Sequence, residues 1–379
     1  MSSKSLVLTR FLYWKDEVEL SLISSLLEGE NFEEVLFWLY ELYYSGFKEE
    51  CFYLAWKIYY DFYAHLNPKL HHFIERKYNK WKNSKNDMLI GYVFRNMFGK
   101  DYTFKVFHLR QFTNTNPVPN TLFKGRSPSW TKNYPAKLKN LLMSINKNKY
   151  VNICSYLSAL DDSELKEAYL NIVDYFNKEL KIDVKKDIIE ETITTFQKGL
   201  FNNTRHYILS TIVYLREKEE NIDLRRIFIS LTKEDEDYIK KVEEEKITPD
   251  WRTLCYKRCY YINKEIGAFS LERDNVKNIE HEMWFHWEYY ASFAPRWNKR
   301  MAEFKYRRNN EERTIEFDDD DIMEEFYQKY GFLEPDEQPK PVQDASTGKI
   351  DKKSWKSFYN ELKEPQVLLT FDDNFRYKY

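Results

Sequence analysis

The sequence predicts a mainly α fold: a helical-hairpin (HEAT-like) array or an irregular helical bundle, with an acidic, partly extended C-terminal tail. Three observations carry this. Glycine and proline number only 9 and 11 in 379 residues, too few for the closely spaced turns of a β-sandwich or barrel. Apolar residues recur at helical spacing along most of the chain. The aromatic residues, 30 Tyr and 27 Phe among them, are too many to be exposed without aggregation and must chiefly fill a core. Four regions follow: a helical region over 1–100, a basic loop or linker over 101–135, a second helical region over 136–300, and an acidic tail with aromatic anchors over 301–379.

The first helix runs from Asp16 to Leu27, with Val18, Leu22, Ile23, Leu26 and Leu27 on one face and Gly29 ending it. Asn31, three residues before Glu34, begins a second in the manner of a capping box, and Gly46 stops it. A third continues from Phe47 through Cys51, Leu54, Ala55, Ile58 and Phe62 to Leu66, where Asn67-Pro68 breaks it. Lys69–Lys82 is a basic amphipathic helix with His71 and His72 on its surface, and Asp87–Phe98 is a fifth helix. Thr103–Leu109 alternates and suggests a short strand, followed by a loop carrying Pro117, Pro119 and Pro128. Helices resume at Ala136. Asp161 or Asp162 caps the next, with the stripe Leu165, Ala168, Tyr169, Ile172, Val173 and Phe176. Ile188–Leu200, His206–Arg216, Ile222–Leu231, Glu234–Lys246, Asp250–Gly267 and Asn275–Phe293 complete the set. In the tail, Glu311–Asp344 holds thirteen acids against three bases, and Trp355, Phe358 and Tyr359 are aromatic anchors that dock on the parent domain or a partner.

Charge is segregated. Residues 66–150 carry seventeen Lys and Arg against three acids, in a chain of formal net charge −2. A surface of one sign attracts a polyanion or an acidic partner. Interleaved aromatic residues (Trp81, Tyr102, Phe104, Phe107, Phe112, Phe123, Trp130, Tyr134 and Tyr150) supply rings on which bases stack, so single-stranded RNA or another polyanion is the expected partner. The candidate contact residues are Arg76, Lys77, Lys80, Lys82, Lys85, Arg95, Lys105, Arg110, Lys124, Arg126 and Trp130. An acidic protein surface, or the chain's own acidic tail, is the alternative occupant.

No catalytic residue emerges. The chain lacks G-x-x-x-x-G-K-[ST], G-x-G-x-x-G and G-x-S-x-G, and with so little glycine phosphate-cradling loops are excluded. Cys255, Cys259, His281 and His286 follow the order of a Cys2His2 zinc site, but the gap between Cys259 and His281 exceeds that of a finger. The two cysteines share one face of a predicted helix, so buried free thiols are expected and no metal or other cofactor. His281 and His286 are five apart rather than the four of a zinc-protease helix. Asp318–Asp321 reads as the solvated N-terminal cap of a helix. The four cysteines form no disulfide framework, the N-terminal segment holds no secretory leader, and no run is long and apolar enough to span a membrane. A reduced, intracellular, non-enzymatic protein is expected.

Five stretches, FLYWKDEVELSL at 11–22, ELYYSGF at 41–47, WKIYYDFYAHLNPKL at 56–70, YYASFAPRW at 289–297 and FYQKYGFLEPDEQ at 326–338, together resemble an uncharacterised protein family of giant, nucleocytoplasmic large DNA viruses. The resemblance implies a viral role in the host cytoplasm, at the viral factory, and names no reaction. Such viruses carry gene-expression machinery, in which helical scaffolds assemble RNA helicases and cap-binding proteins for translation initiation. Scaffolds of that type dock a cap-binding protein through Tyr-x4-Leu followed by an apolar residue. Tyr175 and Leu180 fit, but Lys181 stands in the apolar position. The expected role is therefore a non-enzymatic scaffold or adaptor of an RNA-directed complex, with Tyr175, Leu180, Trp355, Phe358 and Tyr359 as partner-binding residues. The alternative is a virion structural protein, a minor capsid or DNA-packaging component.

Overall fold

The computed structural model describes residues 6–64, 66–67, 69–107, 127–182, 184, 204–216, 228–244 and 278–331, with two short strands, 370–371 and 377–378, that pair with each other. It is mainly helical, as the stripes and sparse glycine require. The chain divides into two compact units. The first comprises Met1–Ala55, Lys77–Gly99 and Ile229–Lys363; the second comprises Trp56–Arg76, Lys100–Phe228 and Glu364–Tyr379. Both are discontinuous, unlike the sequential regions 1–100 and 136–300 expected above.

In the first unit, α1 (Lys15–Glu28) ends at Gly29, whose φ of 68° is the left-handed stop that glycine adopts without strain. Helix α2 (Phe32–Tyr44) is capped by Asn31, which accepts from the Glu33 N–H rather than forming the reciprocal box with Glu34. Two helices cross the border between units: α3 (Lys48–Ile58), prolonged by a π-turn over Tyr59–Tyr63, and α4 (Leu70–Ser84). Helix α5 (Met88–Met97) follows. Helix α2 packs mainly against α1 and against α10 (Lys233–Glu243), an element far along the chain. That non-local pairing makes this unit an irregular bundle rather than a sequential hairpin array. Thr232 caps α10 in a reciprocal box with Asp235.

A buried ion pair organises the meeting point. Residues 9–13 form a tight turn, with the Thr9 N–H donating to Tyr13 O at 2.8 Å and Leu12 at φ 57°. Its tip projects Arg10 against Glu41 of α2. Arg10 Nε donates to Glu41 Oε2 at 2.9 Å, the Phe11 N–H donates to Oε1 at 3.1 Å, and Arg10 Nη2 donates to Val242 O of α10 at 2.6 Å. The side chains of the pair are only 1% and 0% exposed. Burial raises the Glu41 carboxyl above its ordinary range, while Arg10, Thr9 and Phe11 pull it back.

The second half of this unit closes on the same place. The helix expected over Asn275–Phe293 breaks at His286 (φ −137°, ψ 21°) into α11 (Ile279–Phe285) and α12 (Trp287–Ala291). Helix α13 (Pro295–Ala302) then brings Trp297, whose indole N–H donates to Thr9 O at 3.1 Å. The Arg296 N–H donates to Ser45 O at 3.0 Å. Gly46 is obligatory there: a Cβ would lie 2.5 Å from Pro295 Cβ, and its φ is 104°.

The acidic segment begins folded, contrary to a tail starting at residue 301. Strands β1 (Arg307–Asn309) and β2 (Thr314–Glu316) form a hairpin, and α14 (Asp320–Tyr330) follows, capped by Asp319 as expected of the acidic run. Phe326 and Tyr330 are buried. The Phe326 ring lies 6.3 Å from Trp287 and 5.5 Å from Phe304, and Tyr330 lies 5.4 Å from Trp297. The anchors Trp355, Phe358 and Tyr359 lie outside the described residues.

In the second unit, α6 (Lys139–Asn146) packs on α7 (Tyr150–Ser158), and α9 (Thr204–Arg216) packs on α7 and on α8 (Leu165–Lys178). The whole predicted stripe of α8 is buried, and the Asp161 N–H donates to Glu164 Oε2 at its start. The strand expected over Thr103–Leu109 is instead a helical turn at 105–107. Phe104 and Phe107, three apart, both meet Phe62, at 5.4 and 5.2 Å, which a turn of helix permits and a strand does not. His71 is also corrected. It is buried, with Nδ1 3.1 Å from the Tyr60 hydroxyl and its ring 4.9 Å from Trp56. Residues 228–231, the described end of the helix expected over Ile222–Leu231, are not helical. There the Asn96 side chain takes both backbone groups of Ile229, each at 2.7 Å, within the first unit. The helices expected over Ile188–Leu200 and Asp250–Gly267 lie outside the described residues.

Two predictions follow from this packing. Glu41→Ala leaves Arg10 charged, buried and unpaired, and is expected to cost about 3–5 kcal/mol in urea denaturation. The double change R10M/E41L is expected to recover most of that loss, since an apolar pair carries no desolvation cost. Second, a chain ending at Arg308 loses Phe326 and Tyr330, each contributing about 1.5–3 kcal/mol of burial. Its thermal melt is expected to shift down markedly; an unshifted melt would place α14 outside the core.

Candidate polyanion interface

The candidate cations fall into both units. In the first, α4 and α5 are joined by a tight corner at Lys85, which has φ 53°. The corner rests on Tyr43 of α2: Trp81 Nε1 donates to the Tyr43 hydroxyl at 2.8 Å, and that hydroxyl donates to Asp87 Oδ1 at 2.6 Å. The Tyr40 hydroxyl donates to Asp87 O at 2.9 Å. Burial and the Asp87 carboxylate push the Tyr43 hydroxyl well above the usual tyrosine range, so it acts as a fixed donor.

On this frame lie four lysines. Lys85 Nζ is 4.3 Å from the Trp81 ring centre, Lys82 is 5.3 Å from Tyr78 and Lys77 is 4.1 Å from Tyr92. Lys80, Lys82 and Lys85 are exposed, and Lys77 is half-buried. A ring face under an ammonium attracts it electrostatically and limits its wandering. The ammonium has three donors, so such a contact leaves others for a phosphate.

Acids from other elements temper the patch. Glu49 of α3 lies 3.9 Å from Lys82, and Asp235 of α10 lies 3.8 Å from Arg95. Arg95 is half-buried over Phe32, which removes it from the exposed edge. The seventeen-to-three excess in the sequence therefore overstates the charge at the surface. The Tyr78 hydroxyl donates to Glu49 at 2.6 Å, and this bond holds the Glu49 carboxyl below its ordinary range. The stability linked to that shift is present above the ordinary carboxylate range and is lost as pH falls through the lowered value.

Four of the rings expected to stack on bases are inside, while Tyr102, Trp130 and Tyr150 are half-buried. Trp81, Phe104, Phe107 and Tyr134 are buried, so these rings are core. Phe112 and Phe123 lie outside the described residues, as do Arg110, Lys124 and Arg126. In the second unit Arg76 is exposed with its guanidinium 6.0 Å from the Phe228 ring centre, and Lys105 is half-buried on the 105–107 turn.

The same unit brings together two candidates from different hypotheses. The Trp130 ring is 4.8 Å from Tyr175. Tyr175 is buried, its hydroxyl has no hydrogen-bond partner, and burial pushes it up to about 12. A partner reaching this ring must first displace its neighbours. Leu180 is half-buried, and its N–H donates to Tyr175 O at 3.3 Å. Lys181, in the position where a docking motif has an apolar residue, takes φ 55° as α8 terminates.

The arrangement missed by sequence reasoning is the Arg10–Glu41 pair. Its signal was present: a single cation within LVLTRFLYW and a single acid within VLFWLYELYY. Among the described residues no group of three or more potential metal ligands occurs, and no helix is long and apolar enough to cross a membrane. Burial pushes the Cys51 and Cys154 thiols far above the reactive range. Comparison with protein-family models, curated proteins and solved structures found no match.

Removing the hydroxyl in Tyr78→Phe is expected to return the Glu49 carboxyl upward toward its ordinary range. Carbon-detected NMR titration of Glu49 in the two proteins reads this directly; an unchanged titration would mean that Tyr53 and the neighbouring Lys82 and Lys85, not Tyr78, set the shift.

Proposed function

We propose that this protein is a non-enzymatic helical scaffold that holds a polyanion, most simply single-stranded RNA, by its phosphate backbone. The observation that carries the reading is three exposed lysines, Lys80 and Lys82 near the end of α4 and Lys85 at the corner beyond it, two of them seated over aromatic rings. Because Trp81 and Tyr78 beneath them are buried, contact is by charge and tolerates any base sequence. These acids and thiols support a scaffolding role, since buried Glu41 and half-buried Asp87 are committed to holding helices and Cys51 and Cys154 are suppressed by burial. The resemblance of both chain ends to a giant-virus family favours viral gene expression in the host cytoplasm as the setting, with an RNA helicase or cap-binding protein as the protein partner.

Fluorescence anisotropy with a labelled single-stranded RNA tests this. Each phosphate contact on a single strand contributes a slope of about −0.7 in log K against log salt, so three contacts give about −2. The full-length triple variant K80E/K82E/K85E is expected to lose this binding while keeping the wild-type melt, since each exposed change costs under about 0.5 kcal/mol. Binding that survives the triple variant, or no binding at low salt, would refute the assignment.

A further inference from the structure

We propose that His281 and His286 form a two-imidazole site for a borderline divalent cation such as Zn2+ or Ni2+. Five residues apart on one continuous helix, these side chains would diverge by more than a quarter-turn of the helix. The chain avoids this because α11 stops at Phe285 and His286 leaves helical geometry. The break brings the two rings to 5.6 Å between centres, with planes inclined at 47°. Metal–nitrogen bonds of about 2.0–2.1 Å at a tetrahedral angle place two ligating imidazole centres about 5–6 Å apart.

The second observation is the hydrogen bond of His286. Its Nδ1 lies 2.9 Å from Arg313 O, at the turn between β1 and β2. A carbonyl accepts only, so Nδ1 carries the proton and Nε2 is left with its lone pair. This is the outer-sphere arrangement that orients metal-binding histidines and fixes their tautomer. His281 is exposed, and its ring contacts are with Phe285 and His286. The nearby Arg313 guanidinium, which would repel a cation, is neutralised by its ion pair with Glu282. The pair supplies two nitrogen ligands, and the other positions fall to water or to a donor from another molecule.

Calorimetric titration of the metal-free, full-length protein with Zn2+, repeated with Ni2+, tests the site. One saturable event is expected in the wild type. Loss of an outer-sphere partner typically weakens a metal site about 10–100-fold, so loss of a ligand in His281→Ala should weaken it at least about tenfold. His281→Ala touches no internal hydrogen bond of its side chain, so the variant should melt like the wild type. His286→Gln, which retains a donor for Arg313 O, should lose binding equally, and His72→Ala should keep it. Undiminished binding in H281A, or no saturable event in the wild type, would overturn the proposal.

Discussion

The first unit depends on one buried charge pair. Arg10 and Glu41 are each removed from water, and their attraction offsets that loss only because the surrounding hydrogen bonds are also made. Those bonds reach α2 through Glu41, α10 through Val242 O and the neck of α2 through Ser45, whose hydroxyl accepts from the Arg10 N–H at 2.8 Å. Trp297 adds α13 by bonding Thr9 O on the same turn. Elements from both ends of the chain therefore converge on one short turn. This accounts for the non-local pairing of α2 with α10 and for a glycine at position 46 that no larger residue can replace.

Local features of the fold were legible where a residue's chemistry acts on its own neighbours. Gly29, Asn31, Asp161 and Asp319 mark helix ends in the sequence and in the structure, and the Leu165–Phe176 stripe faces the core as its spacing requires. The failures share a cause. His286 breaks a helix whose apolar pattern continues, and residues 104–107 become a turn because Phe62 receives two rings. His71, flanked by cations, is drawn inside by Trp56 and Tyr60. In each case a tertiary partner distant in sequence outweighed the local pattern.

The candidate site was half legible. Composition marked the stretch over 66–150 as basic, and within it Lys80, Lys82 and Lys85 are exposed. What composition cannot convey is direction. A helix in a bundle turns its rings inward and its ammonium groups outward, so an interleaved basic and aromatic sequence separates into a charged edge over a packed interior. Glu49 and Asp235 also return to this edge from other helices. The result is a charged edge over buried rings, narrower than seventeen cations suggest.

Lysine footprinting tests that account most directly. The full-length protein is acetylated at low salt, with and without a homopolymeric RNA, and each lysine's modification is read by mass spectrometry. The account predicts protection at Lys80, Lys82 and Lys85 that disappears as salt is raised. Unchanged reactivity at these three, with protection elsewhere on the chain, would contradict it.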